Sequence, residues 1–436
     1  MAGDAGAPPL SSASMVASAP VRATTPVVPG GRGTPTLSPL AHGTPFHPRT
    51  APLVRKLQWR EWAGHLAASA YADSWDIEYN AIRQAAGVID VSPLYKYLVR
   101  GPDAMRLVDR ILTRDATKIA VGQVVYACWC DEDGHVIDDG TVARLDETTY
   151  RWTAADPNLR WFRMNATGLD VEIEEISEAI AALALQGPLS RAILESATGE
   201  EWGDLRYFRR HPSAIAGIET DVSRTGYTGD LGYELWIPAE RAIELWDALM
   251  AAGEPYRIRP AGLQALDVAR LEAGLILIEV DYTSARQAVI DDQRYTPYEI
   301  GLGRLVTFDK APFVGMRALR EVAERRPRRQ LVGLELDWDE FEAIHRAAGL
   351  VPAVPSATWR AAVPVYSPAS GAQVGKATSG TWSPTLKRNV ALASVASASA
   401  AIGTRLGVEW TVQAVRQRVA ARVVPLPFLD LPRKRA

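Results

Sequence analysis

Cysteine occurs only twice in the 436 residues, at Cys128 and Cys130. Two thiols cannot build a disulfide framework, and such sparing use fits a reducing, cytoplasmic compartment. In a strand the two would share a face, but a structural metal needs about four ligands and no Cys/His cluster supplies the rest. No metal site is therefore expected, and the pair reads as buried reduced thiols. Charge of one sign is also lacking. A formal net charge of -3 gives no electrostatic reason to expect nucleic acid or an anionic membrane as partner. Apolar runs fall short of the roughly 18 residues that would span a bilayer. The first 45 residues have few large apolar side chains and are dominated by Ala, Pro, Ser, Thr and Gly. Such a segment cannot offset the entropy of ordering, so a disordered extension over 1–45 is expected. It has no continuous apolar segment after a basic start, which argues against a secretory signal. Its scarce acids and its Arg residues leave an organellar transit peptide open, and a gene start at Met15 equally so.

What remains is long enough for more than one hydrophobic core. Aromatic residues crowd the start of this part, with Trp59, Trp62, Tyr71, Trp75, Tyr79, Tyr95 and Tyr97 all before residue 100. Ala81–Ala86 reads as helix stopped by Gly87, Val88–Val91 as strand, and Tyr95–Arg100 as a half-buried strand before a helix over Ala104–Leu112. Val124–Trp129 and Val136–Val142 form a hairpin around the turn Asp131-Glu132-Asp133-Gly134. The interleaving recurs around Ile173–Ala197, which points to two related α+β halves. From about Leu331 the pattern changes to short alternating segments broken by Pro and Gly, including Val332–Leu336, Ala362–Tyr366, Ala391–Val395 and Leu406–Trp410. These are expected to form a small antiparallel β domain over 331–436, following a core over 46–330.

The densest chemistry lies in Ser223-Arg224-Thr225-Gly226-Tyr227-Thr228-Gly229-Asp230-Leu231-Gly232-Tyr233-Glu234-Leu235. Its three glycines mark a backbone that turns tightly or lies close to a flat ligand. Glu234 sits in the apolar run Tyr233–Ile237, where an ionised carboxylate is costly unless donors meet it. A pterin, with a ring N–H beside an amino group, offers such a fork. A hairpin with Glu234 facing water is the other reading. In the other hairpin, Asp138 and Asp139 point to opposite faces of a regular strand, so they cannot form a carboxylate dyad. Asp139 shares its face with Ile137 and Thr141 and should be partly buried, whereas Asp138 reads as a solvated strand residue.

The Ser223–Leu235 run resembles the signature of the folate-binding aminomethyltransferases, the T-protein of the glycine cleavage system, and of their relatives that move methyl groups onto tetrahydrofolate. The resemblance continues through Asn80–Arg83, Gly87–Ser92, Gly134–Asp139, Leu185-Gln186-Gly187-Pro188, Pro260–Leu263, Asp267–Gly274 and Thr378–Leu386, in family order, covering roughly Leu57 to Pro427. It implies an α+β aminomethyltransferase-like core of two related subdomains plus a C-terminal antiparallel β-barrel. It also implies tetrahydrofolate as cofactor, with Tyr126, Tyr227 and Glu234 lining its site, Tyr227 near the transferring carbon, and Asp139 close to the reacting nitrogens. Asp267, Arg270 and Glu272 match too, but the i, i+3 pair of Asp267 and Arg270 reads as scaffold.

Departures from the family pattern steer the choice of donor. Leu266 stands where the family's Gly-Ala-Arg-Asp series has Arg, Thr153 where it has Asn, and Pro93 where it has His; Trp62-Ala63-Gly64-His65 only loosely echoes the family's Phe-Ala-Gly-Trp. An apolar Leu cannot replace a guanidinium fork. The expectation is therefore a demethylase that moves methyl from a small O-, N- or S-methylated molecule to tetrahydrofolate. The alternatives are aminomethyl transfer from a lipoylated carrier protein, and a folate-binding regulatory protein without turnover. The segment Trp338–Trp359 exceeds the compact family pattern and reads either as a cover for the folate entrance or as surface decoration.

Overall fold

The computed structural model describes residues 41–435. For residues 1–40 the expected tail lies outside the described residues. Residues 42–43 already pair in a sheet and Thr44 donates to Asp90 at 2.5 Å, so the folded part begins ahead of residue 45. A small sheet joins β1 (His42–Gly43), β2 (Trp59–Trp62) and β3 (His65–Ala68), with the one-turn helix α1 (His47–Thr50) between the first two strands. Helix α2 (Trp75–Gln84) then leads to β4 (Gly87–Asp90).

Two halves follow with the same order of elements. The first runs β5 (Tyr95–Arg100), α3 (Ala104–Ile111), β6 (Val124–Cys130), β7 (Val136–Arg144), β8 (Thr149–Ala154), α4 (Leu159–Asn165) and β9 (Glu172–Glu175). The second runs β10 (Ile180–Gln186), α5 (Ser190–Thr198), β11 (Arg210–Ile215), β12 (Ile218–Ser223), β13 (Gly232–Pro238), α6 (Ala242–Gly253) and β14 (Arg259–Pro260). Their sheets are ordered β6-β7-β8-β5-β9 and β11-β12-β13-β10-β4-β14, one plan with β4 inserted in the second. The related α+β halves anticipated from the sequence thus share one topology.

Each sheet buries one face under its own helices. Tyr97, Val99, Trp129, Trp152 and Phe162 pack with α3 and α4 in the first half, and Leu183, Leu185, Tyr233, Leu235 and Trp246 pack with α5 and α6 in the second. Alternation then fixes the opposite faces. Helix α7 (Leu263–Glu272), whose residues are all buried except Gln264, packs beside α2, and α8 (Met316–Glu324) follows. The C-terminal part is a closed six-stranded antiparallel barrel of β15 (Arg329–Leu336), β16 (Val363–Tyr366), β17 (Gln373–Ser383), β18 (Arg388–Ala396), β19 (Arg405–Val412) and β20 (Val415–Val424). Helix α9 (Trp338–Ala347) covers part of the barrel with Phe341. Cys128 and Cys130 are buried and free. Among the described residues no helix is long and apolar enough to cross a membrane.

A charged network ties the barrel to the core. Glu272 on α7 accepts hydrogen bonds from Arg83 (2.7 Å), Tyr79 (2.6 Å) and Ser383 of β17 (2.5 Å). Arg83 also reaches Asp230 at 3.2 Å, as does Arg433 near the C-terminus at 2.6 Å. A buried charge network of this kind adds geometric definition more than net stability.

Candidate functional site

The sheet faces turned away from the helices carry the polar side chains. On the five-stranded sheet the register Tyr126↔Thr141↔Thr153 and Cys128↔Asp139 puts Tyr126, Asp139, Thr141 and Thr153 on one face, with Arg151 two residues from Thr153. On the six-stranded sheet Glu234 and Trp236 alternate with the core residues Tyr233, Leu235 and Ile237. Arg151 links the two sheets, its guanidinium lying 4.3 Å from the ring centre of Trp236 while it pairs with Asp221 at 2.6 Å.

Asp139 is half-buried and held by two phenols. Tyr126 donates to Oδ2 at 2.6 Å and Tyr282 donates to Oδ1. Burial pushes the Asp139 pKa above the ordinary carboxylate value, and the two hydroxyl donors hold part of that rise down. Tyr126 belongs to the same enclosed cluster, where burial raises its phenol well above the usual range. Tyr282 is the site residue that the sequence reading missed. Its only signal was Val280-Asp281-Tyr282, a carboxylate and a phenol just after the apolar stretch Leu275–Ile278.

A prediction follows from this cluster. If the Asp139 carboxylate takes part in the reaction, activity is lost as pH falls through its raised pKa, and Tyr126→Phe removes a donor that favours the charged form. The acid limb of the kcat profile should move to higher pH. An unmoved limb in the folded variant would separate Asp139 from the proton transfer.

Asp138 departs from the sequence reading. It is fully buried on the opposite face, accepting from Asn158 Nδ2 at 2.8 Å, Asp156 N at 3.1 Å and Asp139 N at 2.7 Å. Burial, then the charge of Asp139, raises its pKa well above the usual carboxylate range. The solvated strand residue expected there would need a sheet face open to water. Trp129, Trp152 and Phe162 close that face.

Glu234 accepts from Thr225 Oγ1 at 2.6 Å. Burial raises its pKa, against the hydroxyl of Thr225, the charge of Arg151 and the hydroxyl of Ser223. These partners hold the carboxylate without an internal guanidinium fork of its own. It is an acceptor of the kind a ring N–H beside an amino group would meet. Tyr227 packs against the core cluster that contains Leu266 and Trp236, and its hydroxyl donates to the Ile276 carbonyl. Its phenol is raised by burial, with Arg270 opposing and Asp139 adding to the shift, so Tyr227 lies within electrostatic reach of the Asp139 cluster.

The glycines of the signature serve a protein contact. A Cβ on Gly226 would lie 2.1 Å from Gln186 Oε1, and one on Gly232 would lie 2.3 Å from Gln186 Nε2. Gln186 donates to the Thr225 carbonyl at 3.2 Å and accepts from Thr228 at 2.8 Å. The close approach inferred from the sequence is therefore that of an internal glutamine, which fixes the loop bearing Tyr227.

Where the family arginine is replaced, Leu266 is buried in the same core cluster as Trp236. Its neighbour Asp267 nevertheless meets three guanidinium groups. Arg270 Nε donates to Oδ1 at 3.1 Å, Arg360 Nε donates to Oδ2 at 2.7 Å, and Arg60 Nη1 lies 3.6 Å from Oδ2. Arg360 comes from the end of the long segment after β15, and Ser356 of that segment accepts from Trp75 at 2.5 Å. The segment therefore reaches the core, and its α9 part packs on the barrel. Arg270 also reaches Asp281 at 2.6 Å, whose other oxygen accepts from Thr378 and Ser379 of β17, both at 2.6 Å.

Residues 49–310 match the family model of the GCVT N-terminal domain, and residues 329–430 match that of the glycine cleavage T-protein C-terminal barrel domain. The chain belongs to the glycine cleavage T-protein family. The enzyme class anticipated from the sequence, a tetrahydrofolate-dependent methyl- or aminomethyltransferase, and tetrahydrofolate as its cofactor are those of this family. The chain is 37% identical to an aminomethyltransferase of Caldanaerobacter subterraneus subsp. tengcongensis over 76% of this chain and 82% of that one. It is 39% identical to an aminomethyltransferase of Symbiobacterium thermophilum, over 82% and 90% of the two chains. The crystal structure of glycine cleavage system aminomethyltransferase T from Bartonella henselae superposes with a TM-score of 0.75 at 26% identity, covering 89% of this chain and 98% of that one. The family fold, an α+β core with a C-terminal barrel, is the one anticipated from the sequence.

Proposed function

We propose that this chain is an aminomethyltransferase that takes its one-carbon unit from a lipoylated carrier protein. The observation that carries the choice is the guanidinium supply at Asp267. The demethylase expectation rested chiefly on the loss of Arg at position 266, yet Arg60 and Arg360 bring two guanidiniums to the neighbouring carboxylate. The long relatives at 37% and 39% identity, both named aminomethyltransferases, support the same reading.

Tetrahydrofolate supplies the two ring-system nitrogens that take up the carbon. Glu234 accepts the pterin fork, and the rings of Tyr227 and Tyr126 border the path from there to Asp139. Asp139, oriented by Tyr126 and Tyr282, takes the proton from the attacking nitrogen. In the balanced reaction the two N–H protons pass to the departing ammonia and to the freed lipoyl sulfur, as the carbon breaks its bonds to nitrogen and sulfur. Most of the acceleration comes from holding two reactants in register, where effective molarities of about 10⁵ M or more are attainable.

Incubating the full chain with tetrahydrofolate and either aminomethylated lipoyl carrier or a panel of methylated small molecules tests this. Mass spectrometry should find 5,10-methylenetetrahydrofolate and released ammonia with the carrier. Formation of 5-methyltetrahydrofolate from a small methyl donor, with the carrier inert, would establish demethylation instead.

A further inference from the structure

Parallel pairing of β1 with β3 sets His42 directly beside His65, with their rings 4.2 Å apart. Glu178, in the turn between β9 and β10, spans both of them. Its Oε1 is 3.6 Å from His65 Nε2, its Oε2 is 3.7 Å from His42 Nε2, and one ligand atom from each of the three residues can be chosen so that all lie within 4.8 Å of one another.

The proton on His65 is fixed by geometry. Its Nδ1 lies 3.1 Å from the Ala63 carbonyl oxygen, which can only accept, so Nδ1 carries the hydrogen and Nε2 of the neutral ring presents a lone pair. That lone pair faces a carboxylate oxygen. Two acceptors opposed in this way favour a positive charge between them. The 3.6–3.7 Å separations are too long for a hydrogen bond. They run to different oxygens of Glu178, and with one atom from each residue the set lies within 4.8 Å, wider than the edge of about 3.4 Å of a tetrahedron built from ligand bonds of about 2.0–2.2 Å to zinc, so the exposed ligands must close on the ion.

We propose that His42, His65 and Glu178 bind a zinc ion, with water in the fourth position. Two imidazoles and one carboxylate suit zinc in type and number, and the Nδ1–H to backbone carbonyl bond of His65 is the outer-shell contact that orients such ligands. Glu178 is 73% exposed and His42 54% exposed, so both can close on an ion while buried His65 supplies the fixed ligand. The ion cross-links the two-residue strand β1, the β2–β3 hairpin and the turn that leads into β10.

The test uses the full chain without a histidine tag, stripped by chelator and titrated with zinc chloride by calorimetry, with metal analysis after gel filtration. One zinc per chain at micromolar concentration and a rise in the thermal midpoint are expected. His65→Gln and Glu178→Gln should each weaken binding by more than about 100-fold, beyond the loss usual for an outer-shell partner, and abolish the thermal shift. His42→Gln, on an exposed edge, serves if the buried substitution prevents folding. Absence of stoichiometric zinc, as when the charge between the acceptors is a second ring proton, overturns the proposal. So does undiminished binding in folded variants.

Discussion

Asp139→Asn is expected to lower turnover by roughly 10²–10⁴-fold while tetrahydrofolate affinity stays within about tenfold. The amide keeps the shape of the carboxylate and still accepts from one of the two phenols, Tyr126 or Tyr282, but it cannot take a proton. Binding should survive because the pterin is assigned to Glu234, on the other sheet. Steady-state product formation and calorimetric titration of the same preparation separate the two quantities. Full turnover in the variant would remove Asp139 from the chemistry. Asp138→Asn is no neutral control. Asp138 accepts from a side-chain amide and two backbone N–H groups in a dry interior, so an amide there would point donors at donors and destabilise the half-sheet. Tyr282→Phe is the better companion, since it removes one oriented donor and leaves the carboxylate.

Glu234→Gln is expected to weaken tetrahydrofolate binding by about 2–4 kcal/mol. Glutamine presents one N–H₂ where the ligand fork needs a second acceptor. The protein side of the site tolerates the change, because the hydroxyls of Thr225 and Ser223 can rotate to accept from the new amide. Loss of affinity would therefore report the ligand contact and not local collapse. Calorimetry with tetrahydrofolate decides it, and unchanged affinity in a folded variant would sink the assignment of Glu234 to the pterin.

Legibility of the fold followed from local signals. Tyr95–Arg100 is expected from its alternation and is found as a strand over those residues. The hairpin around Asp131–Gly134 is where turn chemistry places it, and four barrel strands lie over the segments read as alternating. β17 escaped as a strand because Lys376-Ala377-Thr378-Ser379-Gly380-Thr381 looks like turn chemistry. Its Thr378 and Ser379 are buried because Asp281, distant in sequence, accepts their hydroxyls. β20, with Arg and Gln through Val415-Arg416-Gln417-Arg418, dilutes the alternation that its later residues carry into the barrel interior.

The sequence alone determined the family and the order of its elements, since motif spacing and side-chain period are local properties of the chain. Tertiary structure alone decided which carboxylate is fully buried, which residue hydrogen-bonds to Asp139 beside Tyr126, what the signature glycines approach, and how guanidinium returns to Asp267. Each of these depends on a partner far away in sequence: Asn158 for Asp138, Tyr282 for Asp139, Gln186 for Gly226 and Gly232, and Arg360 for Asp267. The cost of a buried charge can be read from its own position. The group that offsets it is set by packing between segments that no local pattern relates.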